Sequence, residues 1–323
     1  MLAESTLLGL DFIRIWERKM ENVKRKKIKE RVIRSTGEKI MHAIVFTFFA
    51  VYAFTLLYPF VFLLLNSFKA YSQMLGDDPL ALPKWLNADG KMVFFQNIFN
   101  SYGEAFKMEV NGTNIVGMLF NTITLAVGQT FVSMALTCMA AYTLAKYRFR
   151  GNTLIYTTIL ICSVIPTFGA EPSMYNLMSN ILHLRNTYLG MLLMCGGFGA
   201  QFLYLHSFFK GIPWSFAESA MIDGASDFRI FLQIMLPLAK NGIIVFTIMK
   251  FVGYWNEYWS AFLYYESYPT LAVGLSMLEK DPDYTANVFF AGTVLAIIPM
   301  LVFYGIFSDK LMNNLNAGGI KGE

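Results

Sequence analysis

Residues 218–237 read ESAMIDGASDFRIFLQIMLP, a polar, punctuated stretch between an apolar run that ends near Phe209 and another that resumes at Gly242. Just upstream, Gly211, Ile212 and Pro213 follow Lys210 and end the preceding run. Pro213 suits the first position of a new helix, where its missing N–H is not needed, so a short helix of about ten residues is expected there. Gly224 can take the left-handed conformation that stops it. Ser226 is then placed to cap a second helix, with Asp227 in its first turn, and Pro237 to break it. Phe216, Ala220 and Met221 are expected to share a face, and small Ser219 and Ala220 to let another surface approach closely. The pattern is helix, tight turn, helix: an exposed knob inside an otherwise apolar chain.

Outward from the knob, the 323 residues are 55% hydrophobic and 15% charged, with thirty Phe and seventeen Tyr, and mean hydropathy is +0.46. That is too apolar for an ordinary soluble domain. Apolar runs occupy 41–65, 115–145, 154–168, 189–209, 242–263 and 287–307, and most reach the ~20 residues a helix needs to cross a bilayer. The run at 154–168 is short and carries Pro166. A closed barrel would instead need alternating ten-residue segments, so the expected fold is an all-α polytopic membrane protein with six transmembrane helices. Its expected divisions are a basic arm at 1–40, a first span at 41–65, a loop at 66–113, a core at 114–307 containing the knob at 211–240, and a tail at 308–323.

Charge sets the expected orientation. Eleven of the 26 Lys and Arg precede Met41, and Lys146, Arg148 and Arg150 follow the second run. The 66–113 loop has four Lys against five acids, and residues 264–286 have one Lys against four. Basic loops stay cytoplasmic, which puts both termini and the knob inside and the two acidic loops outside. Residues 1–40 lack the apolar core and cleavage site of a signal peptide, and the basic arm is expected to hug anionic lipid.

Cys138, Cys162 and Cys195 all lie in apolar runs, so no disulfide framework is implied. His42, His183 and His206 are scattered, and CxxC, HExxH and phosphate-binding GxxxxGK[ST] patterns are missing from the sequence. A metal site, nucleotide binding by this chain and a nucleic-acid partner are not expected.

Glu218, Ser219, Ala220, three residues, Gly224, nine residues, then Ile234, Met235, Leu236 and Pro237 resemble the EAA loop of permease subunits in binding-protein-dependent ABC importers. That pattern is E-A-A, three residues, G, nine residues, I-x-L-P, and Ser219 is the one departure. Asn186 to Gly190 (NTYLG) and Trp255 to Tyr258 (WNEY) resemble the maltose-type, MalG-like carbohydrate branch, and Gly318, Gly319, Ile320, Lys321 and Gly322 are similar to its G-x-[VI]-K-G ending. The resemblance covers most of the chain beyond Met41 and is weakest in the 66–113 loop.

The resemblance implies an importer of the bacterial or archaeal cytoplasmic membrane. In that family a second, MalF-like permease completes the pathway, an extracytoplasmic solute-binding protein delivers a sugar, and two ATPase subunits bind ATP and Mg. Glu218, Ser219, Ala220, Met221, Asp223, Gly224 and Pro237 would belong to the coupling helix and its loop, and Gly318, Gly319, Lys321 and Gly322 to a tail reaching the ATPases.

Substrate-path candidates are Glu171, Lys250, Trp255, Asn256, Glu257, Tyr258 and Trp259, because polar side chains within a span face cavities or one another. Tyr254, Phe262, Tyr264, Tyr265 and Tyr268 extend the aromatic group, readable as membrane-interface anchors or as platforms for sugar faces. Gln129, Ser133, Thr137 and Ala140 form a stripe suited to close helix packing. Alternatives are the same kind of permease for another polar solute, and a secondary transporter. The latter would need more ionisable groups at depth and leaves the EAA spacing unexplained. An intramembrane enzyme would need a nucleophile and base, or paired carboxylates, at one depth, and the sequence offers none.

Overall fold

Six apolar runs become helices, but not six straight rods. The computed structural model describes residues 36–76, 80–87, 90–165, 169–195, 198–281 and 284–319. The basic arm before Thr36, Pro166, Lys321 and Gly322 lie outside the described residues.

The chain divides into two compact units, 1–59 and 60–323. Helix α1 (Thr36–Ser67) contributes 36–59 to the first and carries Pro59 within it. Its 32 residues exceed the ~20 that a hydrocarbon core requires.

In the second unit, α2 (Tyr71–Gly76) and α3 (Phe94–Lys107) precede a two-stranded antiparallel hairpin, β1 (Glu109–Val110) and β2 (Thr113–Asn114). The hairpin is a small addition to the all-α expectation, turned at Asn111 and Gly112, both with positive φ. Helix α4 (Ile115–Lys146) starts with the Asn114 side chain accepting from the Gly117 N–H at 2.9 Å. Then come α5 (Asn152–Val164), α6 (Glu171–Asn176) with a wide π-type turn at Leu177–Ile181, α7 (Tyr188–Leu193) and α8 (Ala200–Gly211). The knob holds α9 (Ser215–Ile222), α10 (Asp227–Ile230), a second π-type turn at Phe231–Met235 and α11 (Leu236–Leu238). Helices α12 (Lys240–Trp255), α13 (Trp259–Tyr264), α14 (Leu271–Leu278) and α15 (Ala286–Gly319) complete the chain.

Among the described residues, α1, α4 and α15 up to Asp309 are each long and apolar enough to cross a bilayer alone. The segments Asp227–Leu238 and Lys240–Trp255 together pass the same test but bend by 83°. Two expected continuous runs are interrupted. The 189–209 run divides into α7 and α8, and the 242–263 run stops at Trp255 and restarts at Trp259. Residues 308–319 continue α15, so Gly318 and Gly319 end that helix.

Helix α4 is the central post, packed chiefly against α8 and α12. Gln129, Ser133 and Thr137 of the expected stripe are buried along it. Gln129 donates its side-chain amide to the Met191 carbonyl at 2.7 Å, tying α4 to α7. One core cluster surrounds Met134, Tyr142, Phe202, Phe209, Phe231 and Met235, directly under the knob.

Candidate functional site

The knob begins without proline in its first turn. Trp214 is the N-cap of α9, its carbonyl accepting from the N–H groups of Ala217 (2.8 Å) and Glu218 (3.1 Å). Pro213 therefore lies just before the helix, where it stiffens the entry instead of occupying the first helical position. The helix has eight residues and ends in a complete Schellman closure. The Gly224 N–H donates to Met221 O at 3.0 Å and the Ala225 N–H to Ala220 O at 2.9 Å. Gly224 has φ +80°, as the sequence led one to expect, and a Cβ there would meet nothing within 4 Å. Its requirement is backbone conformation, not space.

One face of α9 is sealed. Ala217 is fully buried, and Trp214, Ala220 and Ala225 pack against the same cluster. Ala220 is half-buried against that cluster, while Phe216 and Met221, expected to share its face, are exposed. The small side chains at 217 and 220 bring the α9 backbone close to the core. Glu218, Ser219 and Asp223 are exposed, and Ile222 is 87% exposed at the tip. Sequence reasoning missed Ile222; an isoleucine beside the Asp-Gly of a tight turn was the signal available.

A brace reaches the knob from the end of α4. Lys146 Nζ donates to the Ile212 carbonyl. Tyr147 donates to Asp227 Oδ1 at 3.0 Å, pairs with the Tyr142 hydroxyl at 3.3 Å and sets its ring edge-on to Trp214. Burial first, then hydrogen bonds with Tyr142 and Asp227 and their nearby charge, push the Tyr147 phenol well above its usual range, so it stays a donor. Ser226 does occupy the N-cap of α10, but its side chain makes no cap bond; Asp227 is engaged by Tyr147 instead. These brace residues lie far upstream in the sequence, where nothing marks them as neighbours of the knob.

The return to the apolar core is a sharp bend. The π-type turn at Phe231–Met235 closes with the Leu236 N–H on Phe231 O, a register that precedes Pro237 and its missing N–H. Pro237 sits inside α11, and the bend falls two residues later at Ala239.

At the other end of α12 lie the path candidates. Asn256 donates to Val252 O at 2.9 Å and Glu257 Oε1 accepts from the Ser260 N–H at 3.0 Å, so the break is held by side chains bonding to backbone. Lys250 sets its ammonium 5.5 Å from the Tyr254 ring centre, and the seven-residue spacing to Glu257 gives no direct ion pair. Trp255 packs toward Phe251, Tyr258 stacks on Phe262 and accepts from Ser276 Oγ at 3.3 Å, and Trp259 is 65% exposed. Glu171 is exposed and accepts from the Tyr264 hydroxyl at 3.4 Å. Tyr264 and Tyr265 are fully buried core residues, which corrects the reading of the whole aromatic group as anchors or open platforms. Among the described residues no three His, Cys, Asp or Glu side chains gather to hold a metal ion.

The Asn186 to Gly190 motif forms a lock on this region. Asn186, at φ +57°, donates its N–H to Tyr264 O at 2.9 Å and accepts from the Ser267 N–H at 3.0 Å. Thr187 caps α7 by accepting from the Gly190 N–H at 3.0 Å. A Cβ on Gly190 would stand 2.1 Å from the Leu184 carbonyl oxygen, so only glycine fits. Arg185 adds an ion pair to Glu266 at 2.9 Å.

The fold is that of a helical membrane component whose apolar runs are interrupted by a braced, backbone-closed knob. Residues 133–317 match the family of binding-protein-dependent transport system inner membrane components, and the chain belongs to that family. It is 30% identical over 272 residues to the diacetylchitobiose uptake system permease protein NgcG of Streptomyces coelicolor, covering 80% of this chain and 82% of that protein. It is 28% identical over 280 residues to the arabinooligosaccharides transport system permease protein AraQ of Bacillus subtilis, covering 85% of this chain and 94% of that one. The fold is shared with a chain in the crystal structure of a bacterial ABC transporter involved in the import of the acidic polysaccharide alginate, with TM-score 0.71, 22% identity, and coverage of 86% of this chain and 98% of that chain.

Proposed function

We propose that the chain is one of two permease subunits of an ATP-driven oligosaccharide importer, and that the knob at 211–240 couples it to an ATPase subunit. The observation that carries this reading is the construction of the knob. Its inner face is alanine packed on the core, its turn is closed by its own backbone, and Ile222, Glu218, Ser219 and Asp223 are left pointing away from the chain. A body so held moves with α4 and α8 when pushed from outside. Relatives named for the uptake of diacetylchitobiose and arabinooligosaccharides support an oligosaccharide as the cargo.

In this reading six segments cross the cytoplasmic membrane with both termini inside, α5 and the α7–α8 pair serving as the third and fourth crossings. A second permease completes the pathway, an external binding protein delivers the sugar, and ATP and Mg are held by two partner ATPase subunits. Glu218, Met221, Asp223 and Gly224 lie in or beside the ATPase contact, and Gly318, Gly319, Lys321 and Gly322 lead toward the ATPase pair. Glu171, Lys250, Trp255, Asn256, Glu257, Tyr258 and Trp259 are retained as candidates facing the sugar's path. The test is uptake by proteoliposomes holding the complete complex, offered binding protein loaded with a panel of oligosaccharides. Uptake of one member that ceases with Ile222→Asp supports the assignment; uptake unaffected by Ile222→Asp removes the knob from the coupling route.

A further inference from the structure

Helix α3 has three faces rather than two. At 3.6 residues per turn, Phe95, Phe99 and Phe106 fall within ~40° of one another, and they are 56%, 75% and 49% exposed. Gln96, Asn100, Glu104 and Lys107 occupy the next arc and are also exposed. The remaining arc, with Ser101 and Ala105, is buried against α15.

The level at which α3 sits is fixed by its buried face. Ser101 Oγ accepts from the Asn287 side-chain amide at 2.9 Å, and Asn287 is the second residue of α15, where that helix's apolar run begins. Tyr102 meets Ser67 Oγ at 3.0 Å, at the last residue of α1, and Phe62 of α1 lies edge-on to Phe290 of α15. Helix α3 is therefore level with the ends of two apolar helices of a membrane protein, where hydrocarbon gives way to headgroups. Beside it, Trp85 stacks on Phe94 with ring centres 4.5 Å apart, adding an indole at the same level.

We propose that α3 is an interfacial helix: the Phe95, Phe99 and Phe106 face lies in the headgroup–acyl boundary of the lipid bilayer, and the Gln96, Asn100 and Glu104 face lies in water. The occupant of the phenylalanine stripe is lipid. A helix with one apolar stripe, a polar face beside it and a third face pinned to a span's end has the amphipathic form that binds a membrane surface, and here the pinning fixes its depth. The bilayer in turn holds the ends of α1 and α15 at a set level through Tyr102 and Ser101. This inference rests on membrane residence, not on the cargo or the coupling assignment.

The test uses the complete transport complex in proteoliposomes, with exposed Cys162 replaced by alanine and a nitroxide placed at Phe99→Cys or, separately, at Asn100→Cys. Collision with oxygen, which partitions into lipid, is compared with collision with a water-soluble nickel chelate. The expected result is severalfold greater oxygen accessibility at 99 than at 100, with the nickel order reversed. Low access of both reagents at 99 means another subunit covers the stripe, and high nickel access there means water; either overturns the proposal. Labels at Phe106→Cys and Glu104→Cys give an independent reading should Phe99→Cys not assemble. Sugar uptake by the same vesicles reports on the transport assignment separately.

Discussion

Gly224, in the turn that closes the knob, and Gly190, near the start of helix α7, need glycine for opposite reasons. Around Gly224 there is open space, and the demand is a φ of +80° that closes the knob by backbone hydrogen bonds. Around Gly190 the backbone is ordinary, and the demand is room, because Leu184 O occupies the place a Cβ would take. The tip of the knob, from Met221 to Gly224, is thus an outward element that can be altered with little damage to the core, whereas the lock at 186–190 is part of what keeps the chain folded. Function and stability separate along this line.

The largest stability effect is expected at the lock. Gly190→Ala has no small adjustment open to it, since the obstructing atom is backbone, and a loss of about 3 kcal/mol is expected from forced overpacking. It would appear as a lowered thermal midpoint of the purified complex, with uptake falling in proportion to folded chain. Next, Ala217→Leu overfills the sealed face of α9 and should cost about 2 kcal/mol. If the knob is a rigid body, uptake per folded complex should fall as well, because the helix must ride out from the core.

Gly224→Ala should cost about 1 kcal/mol, the penalty of a left-handed residue bearing a Cβ, while Gly224→Asn should cost less because asparagine tolerates that region. Equal losses for the two, measured as uptake and as thermal midpoint, would contradict a conformational role. The smallest effect is expected for Tyr147→Phe, which removes the donor to Asp227 and should lower stability by about 1 kcal/mol or less. Amide hydrogen exchange should quicken in α10 and leave the Asn186–Tyr264 lock unchanged.

The turn at Gly224 was legible because glycine, polar punctuation and proline spacing are local signals. The apolar runs were legible too, since a helix in lipid must be continuously apolar. Their interruptions were not. Hydropathy averages over a window, so Asn256 and Glu257 read as two polar residues in a span, when their side chains bond to the backbone of Val252 and Ser260 and end the helix there. The buried tyrosines went astray for the same reason: Tyr264 and Tyr265 carry the composition of an interface belt yet occupy the core. The brace was illegible because Tyr147 and Asp227 are 80 residues apart and meet only through the fold. Within the site, sequence identified the turn but not the tip, and Ile222 emerged only from its exposure.

The coupling assignment is tested most directly by ATPase activity of the reconstituted complex, with and without sugar-loaded binding protein, comparing the native chain with Gly224→Trp. The expected result is stimulation by one oligosaccharide in the native complex and its loss in the variant, with the thermal midpoint lowered by far less than in Gly190→Ala. Full stimulation in Gly224→Trp would contradict the account, because a knob that keeps working with its closing turn rebuilt is not the element that transmits the ATPase stroke.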